Sequence, residues 1–305
     1  MTDTLSQYSV LSLYSAMAIY AIAFVLFTLD LAKGASQDTA PVGEAKTVQI
    51  VPERRKLARI AMALTVIGWL LQLAATIMRG LAASRVPWAN MYEFAMTGTL
   101  IITGVFLLVN LKWDMKFLGS FVTGLVLLLL GLAATRYYVE IVPLPPALQS
   151  YWLVIHVFVA TLATGFFALG FALSLMQLLQ TKRENAVAAN QKTRLGSLTR
   201  LPDSVQLENY AYRLIIIGFV LWTFTLIAGA IWAEKAWGRY WGWDTKEVWT
   251  FIIWTIYAGY IHARSTRGWR GSRSAWLAMV GFAAVMFNFT VVNIFFKGLH
   301  AYSGL

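Results

Sequence analysis

Three histidines, His156, His262 and His300, and one segment crowded with aromatics carry most of the chemistry this sequence can offer. The chain has no cysteine, so it holds no disulfide and supplies no thiolate of its own. Any thiol chemistry must therefore come from a second protein. The aromatic segment is Ala233–Glu247, AEKAWGRYWGWDTKE, where Trp237, Tyr240, Trp241 and Trp243 crowd around Gly238 and Gly242. Glycines let a backbone approach a ligand closely, and large π-faces give stacking area, a combination suited to a planar aromatic cofactor. The plainer reading is a belt of Trp and Tyr at a membrane interface, which accounts for scattered single aromatics better than for four in one loop. Asp244, with Arg239 and Lys246 beside it, either ties this loop down or leaves the two cations for carboxylates on the ligand.

His156 stands near the start of an apolar run that follows VPLPPALQSYW, about 9 Å below its beginning at 1.5 Å per residue. His300 directly follows the last apolar run, in KGLHAYSGL, and both histidines fall level with the aromatic segment. A lone histidine at such a level is ordinarily a hydrogen-bonded structural residue. Two of only three histidines beside the aromatic loop fit axial ligation of a haem iron more economically, since that requires two nitrogens on opposite faces of one flat macrocycle. Beyond His156 the same helix face carries Ala160, Ala163 and Thr164, small enough to leave room for a ring, although small residues also serve ordinary helix packing.

His262 lies about 22 Å along a straight helix from Glu247. Nitrogens sharing one iron sit only about 4 Å apart across metal–nitrogen bonds of about 2 Å. His262 is therefore either an interfacial histidine beside Arg264 or the ligand of a second, membrane-embedded haem, with Thr255, Ala258 and Gly259 as a small face. In the second case another chain or another iron ligand must complete the site. In Asn90-Met91-Tyr92-Glu93-Phe94 the acid stands three residues after the asparagine, which matches a capping box as well as it matches a functional carboxylate.

The elements that must position these groups are legible from composition. The 305 residues are 59% hydrophobic and 13% charged with mean hydropathy +0.63, which excludes an ordinary soluble domain. Apolar runs near residues 8–31, 57–78, 92–111, 117–134, 150–180, 209–232, 247–262 and 274–296 are each long enough, or nearly so, to cross a bilayer. An all-α, polytopic integral membrane protein of about eight transmembrane helices is expected. The net charge of +11 orients helices in such a chain, and no nucleic-acid partner is expected. Of the 25 Lys and Arg, 18 fall in one set of loops and 7 in the alternate set, so the positive-inside rule puts both termini and the aromatic loop outside. Asp3 and the absence of Lys or Arg before the first run leave no basic n-region, and that helix is expected to stay. Residues 32–56 and 181–207 read as polar surface loops. The chain thus divides into residues 1–56, a first helix and cytoplasmic loop, and 57–305, a seven-helix core with its outer loop at 233–248. Dissimilar helices and no clear repeat argue against a repeat-built transporter.

Trp237-Gly238-Arg239-Tyr240-Trp241-Gly242-Trp243-Asp244 resembles the WGxxWxWD signature, or WWD domain, of haem-handling membrane proteins, and Thr245-Lys246-Glu247-Val248-Trp249 is similar to its CcsA (ResC) branch. Asn90–Phe94, Leu148–His156 and Gly298–Tyr302 add to the resemblance, which runs from about residue 60 to the end. It implies a cytochrome c synthase subunit in the plasma membrane. Such a subunit works with a CcsB/ResB-type partner, and a thiol-reducing thioredoxin-like protein serves the substrate. Haem b would pass from a membrane site at His262 to an outer site at His156 and His300, cradled by Trp237 to Asp244, and be joined to the Cys-x-x-Cys-His motif of apocytochrome c. The alternatives are CcmC-like haem delivery to a chaperone, or a haem exporter without synthase activity.

Overall fold

The computed structural model describes residues 2–33, 56–142, 144, 148–191, 195–266, 268–296 and 298–300. These residues are all-helical, without strands. The helices are α1 (Thr2–Ala32), α2 (Lys56–Ala83), α3 (Met91–Lys112), α4 (Gly119–Arg136), α5 (Tyr151–Ala188), α6 (Ser204–Trp237), α7 (Thr245–Ser265), α8 (Ser272–Phe289) and the short α9 (Val291–Phe295). The polar 34–55 segment lies outside the described residues.

Seven spans are long and apolar enough to cross a membrane, among the described residues: α1, α2, α3, α4 with the turn before it, α5, α6, and α8 with α9. The sequence predicts eight. The remaining run is also a helix, α7, but Lys246, Glu247, His262 and Arg264 near its ends, with Trp, Tyr and Thr residues between them, leave it less apolar than the others.

Packing inside the bundle uses side-chain hydrogen bonds as well as apolar contact, because buried polar groups within hydrocarbon must find internal partners. On α1 the buried stripe Ser9, Leu13, Ala16, Tyr20, Ala23 and Phe27 follows the helical period and packs α1 against α2 and α4. Tyr20 donates to Gln72 Oε1 (2.9 Å), and Gln72 Nε2 donates to Met96 O and Thr99 Oγ1 (both 2.8 Å), lacing α1 to α2 to α3. At the centre is α5, packed on α3, α6 and α8; its Phe167 stacks on Tyr257 of α7 at 3.8 Å. Trp222 Nε1 donates to Thr250 O (3.1 Å) and Trp254 Nε1 to Thr223 Oγ1 (3.0 Å), joining α6 to α7.

The 181–207 segment departs from the loop expected of it. Helix α5 continues to Ala188, a 3-10 turn covers Gly196–Arg200, and α6 begins at Ser204. Its polarity reflects two helices that outrun the apolar layer: 38 residues of α5 reach about 57 Å, against about 30 Å of hydrocarbon. Glu184 receives Ser204 N (3.0 Å) and Ser204 Oγ (2.6 Å), closing the turn. Arg200 donates to Asp30 O (2.7 Å), docking it on the end of α1.

Candidate functional site

At one end of the bundle, where α3, α5 and α7 begin and α6 and α9 end, side chains from all five helices and from the chain after α9 converge on a cavity. It holds about 1690 Å³ of empty space, including its open mouth. Its lining is mostly apolar and aromatic, with Trp88, Tyr240 and Trp241 among its walls and both His156 and His300 facing it.

Each histidine is held by its Nδ1. Ser150 caps α5 by accepting from Trp152 N (3.3 Å), and one and a half turns later His156 Nδ1 lies 3.0 Å from the carbonyl oxygen of Thr225 on α6. A carbonyl only accepts, so Nδ1 carries the proton and Nε2 keeps its lone pair. Gly229, one turn along α6, makes this approach feasible: a Cβ there would sit 2.7 Å from His156 Cε1 and 2.8 Å from Nδ1. His300 Nδ1 in turn donates to Asp244 Oδ2 at 2.7 Å, leaving its Nε2 free as well. Trp232 contacts both imidazoles, stacked on His156 (5.9 Å, 19°) and edge-on to His300 (5.4 Å, 66°). Metal-binding histidines characteristically spend one ring nitrogen on a carbonyl or carboxylate in this way, which fixes tautomer and ring orientation.

Asp244 is the hinge of the arrangement. It precedes α7, and its Oδ1 accepts from Leu299 N (3.2 Å) while Oδ2 holds His300. The His300 hydrogen bond, chiefly, keeps its carboxyl below the usual carboxylate range. Glu247, one turn into α7, receives Gly242 N (2.8 Å) and Asp244 N (3.0 Å), so the loop is folded back on the start of its helix.

The aromatic segment is shorter as a loop than the sequence suggests. Ala233–Trp237 are the last turn of α6, and Gly238 ends it in the left-handed conformation at φ 71°, its N–H returning to Glu234 O. Trp237 therefore projects from a helix end and packs edge-on against Trp232 (4.8 Å) and His300 (4.9 Å). The Arg239 guanidinium fills the space a side chain at Gly242 would need, and donates to Gly242 O (3.3 Å). Tyr240 and Trp241 line the cavity. Trp243 is 77% exposed, with φ 58°, a conformation non-glycine residues rarely adopt. Ala160 and Thr164 line the cavity beyond His156, whereas Ala163 is buried in the core.

His262 does not line this cavity. It lies exposed near the far end of α7, in a strip with exposed Thr255 and Gly259 where a Cβ added at Gly259 would meet no other element within 4 Å. Glu93 is a structural ion: fully buried, it pairs with Arg79 (3.0 Å) and Arg85 (2.6 Å), and its N–H donates to the Asn90 cap (2.9 Å). Its side chain reaches back to Ala89 N (3.1 Å), one residue before the cap. Trp232, Thr225 and Gly229 escaped the sequence reading because each looks like an ordinary member of an apolar helix. Among the described residues no three of His, Cys, Asp or Glu gather as for a bare metal ion.

Residues 88–300 match the family model described as Cytochrome C assembly protein. Similar curated proteins include Cytochrome c biogenesis protein CcsA of Trieres chinensis, 32% identical over 252 residues (74% of this chain, 81% of the relative). Its namesake in Guillardia theta is 35% identical over 234 residues (72% and 77%), and that of Porphyra purpurea 31% over 282 residues (82% and 85%). Among solved structures, Cytochrome c Heme Lyase CcmF superposes with TM-score 0.65 at 18% identity, covering 93% of this chain and 46% of that one. The chain thus spans about half of that structure's length, and the likeness is one of fold.

Proposed function

Because the chain belongs to the cytochrome c assembly protein family and acts in cytochrome c maturation, we propose that it is the membrane subunit of a cytochrome c synthase. In this reading it moves haem b to the outer face and presents it for covalent attachment to apocytochrome c. The observation that carries it is that His156 and His300 line one cavity, each with Nδ1 spent on a protein oxygen and Nε2 left to ligate. An apolar, aromatic-walled cavity with two imidazoles suits a planar macrocycle better than a bare ion.

Haem is cargo and substrate here. It brings two vinyl groups, and the Cys-x-x-Cys-His segment of the apocytochrome brings the thiols. In each thioether the S–H adds across the vinyl double bond: sulfur bonds one carbon, the proton passes to the other, and no oxidant is consumed. This chain contributes position. Fixed reactants react as if unimolecular, and no thiol of the chain competes for the vinyls. A CcsB/ResB-type subunit would supply the ligand opposite His262 in the membrane, and a thioredoxin-like reductant would keep the apocytochrome thiols reduced. In this arrangement α7 is the eighth span, both termini and residues 239–244 face the extracytoplasmic side of the plasma membrane, and residues 57–305 form the haem-handling core, to which 1–56 are appended.

The test is co-expression with a CcsB/ResB-type partner and a Cys-x-x-Cys-His apocytochrome, followed by purification and a haem absorption spectrum. Expected are covalent haem on the reporter, haem bound to the chain, and selective loss of a separate, partner-dependent haem in His262→Ala. Haem bound without thioether formation would instead favour delivery to a chaperone, and a chain with no haem under any condition overturns the reading. Asp244→Ala is expected to weaken haem binding at His300 by about 10- to 100-fold, as loss of a residue that orients a ligand does. A haem titration of the purified variant measures it.

A further inference from the structure

The cavity contains a cation with no described carboxylate in ion-pair contact. Lys246, second residue of α7, lines the same cavity as His156 and His300. Its ammonium donates to Asn293 Oδ1. The orientation of that amide is set by Asn293 Nδ2, which donates to Phe289 O (2.8 Å). One neutral oxygen satisfies one of three ammonium protons and brings no charge. The nearby acids are committed elsewhere: Asp244 to His300 and Leu299 N, Glu247 to the N–H groups of Gly242 and Asp244. Among the described residues, no carboxylate oxygen lies within 4.0 Å of Lys246 Nζ. A cation withdrawn from water, with the Asp244 carboxylate acting on it only from beyond contact distance, is costly, so a ligand that brings an anion gains where a neutral one does not.

We infer that Lys246, positioned by Asn293, is the carboxylate anchor of this cavity and pairs with a propionate of the haem. The inference rests on the haem reading above and adds to it a rotational constraint. Two axial imidazoles define a plane but leave a macrocycle free to turn about the axis through them. An off-axis ion pair stops that rotation and so selects which edge, and which vinyl groups, face the mouth.

The test compares haem b with haem dimethyl ester, whose carboxylates are capped, titrated into purified wild type, Lys246→Met and Lys246→Arg. Wild type is expected to bind haem b about tenfold or more tightly than the diester, the scale of a lost charge-assisted hydrogen bond. Lys246→Met removes that preference by weakening haem b alone, and Lys246→Arg restores it. Undiminished diester binding by Lys246→Met shows that the cavity is folded. If Lys246→Met weakens both porphyrins equally, or neither, the anchor assignment fails while the histidine site stands. If wild type binds neither, or binding survives loss of both His156 and His300, the haem reading falls and takes the anchor with it.

Discussion

His156→Ala or His300→Ala is expected to lower haem affinity of the cavity by at least about 100-fold and to abolish holocytochrome formation, since a ligand itself matters more than the partners that orient it, at about 10- to 100-fold each. The two variants should not look alike. Removing the His156 ring empties space against Trp232 and Gly229 inside the bundle, while removing the His300 ring frees Asp244 Oδ2 at the mouth. Gly229→Ala provides the control: it leaves both imidazoles in the sequence but places a methyl group 2.7 Å from His156 Cε1, so the ring must swing off Thr225 O. Haem loss comparable to that of His156→Ala is expected, with α-helix content by circular dichroism unchanged. Full haem occupancy in His156→Ala and His300→Ala together would remove the basis for the site.

The second large effect concerns stability. Glu93→Gln keeps size and shape but leaves Arg79 (1% exposed) and Arg85 (8% exposed) as buried cations facing a neutral amide. Breaking a buried pair from one side costs about 3–5 kcal/mol, most of it the burden of the uncompensated charge. Some relief comes from Val139 O, which accepts from Arg79 at 2.7 Å, and from the rings of Tyr92 and Tyr138, 5.4 and 5.8 Å from its guanidinium carbon. These hold one guanidinium, not two. Thermal unfolding in detergent should show a clearly lower midpoint for Glu93→Gln. Replacing all three together, Glu93→Leu with Arg79→Met and Arg85→Met, should recover much of the loss, because no charge is then left buried alone. A Glu93→Gln midpoint equal to wild type would refute the assignment of Glu93 as a structural ion. The variant also separates stability from chemistry: Glu93 does not face the cavity, so the protein that remains folded should still bind haem.

Much of the architecture is legible from composition and spacing alone. The thickness of a bilayer demands runs of about 20 apolar residues, so the runs at 117–134 and 247–262 mark helices observed at Gly119–Arg136 and Thr245–Ser265. Ends are less legible where a helix outgrows the membrane, as α5 does to Ala188 and α6 does to Trp237, because a polar continuation looks like a loop. The candidate site is half legible. Residue type and level single out His156, His300 and the Trp237–Asp244 segment, since few groups in so apolar a chain can bind anything polar. What spacing cannot reveal is the partner of each group.

A helix that is apolar nearly all round carries no mark of which face meets which neighbour. Only the tertiary structure decides that Thr225 O and Asp244 hold the two Nδ1 atoms, that Trp232 touches both imidazoles, and that Lys246 shares their cavity. The same holds for Glu93, whose spacing from Asn90 foretells the cap but not the arginines that reach it from α2 and the chain after it. The sequence by itself determined that the chain is all-helical and built to cross a membrane, roughly where its helices run, and which side chains are candidates for chemistry, because those follow from local hydropathy and residue type. Which of those side chains meet was decided by long-range packing, whose energy depends on faces and distances between helices that no local pattern encodes.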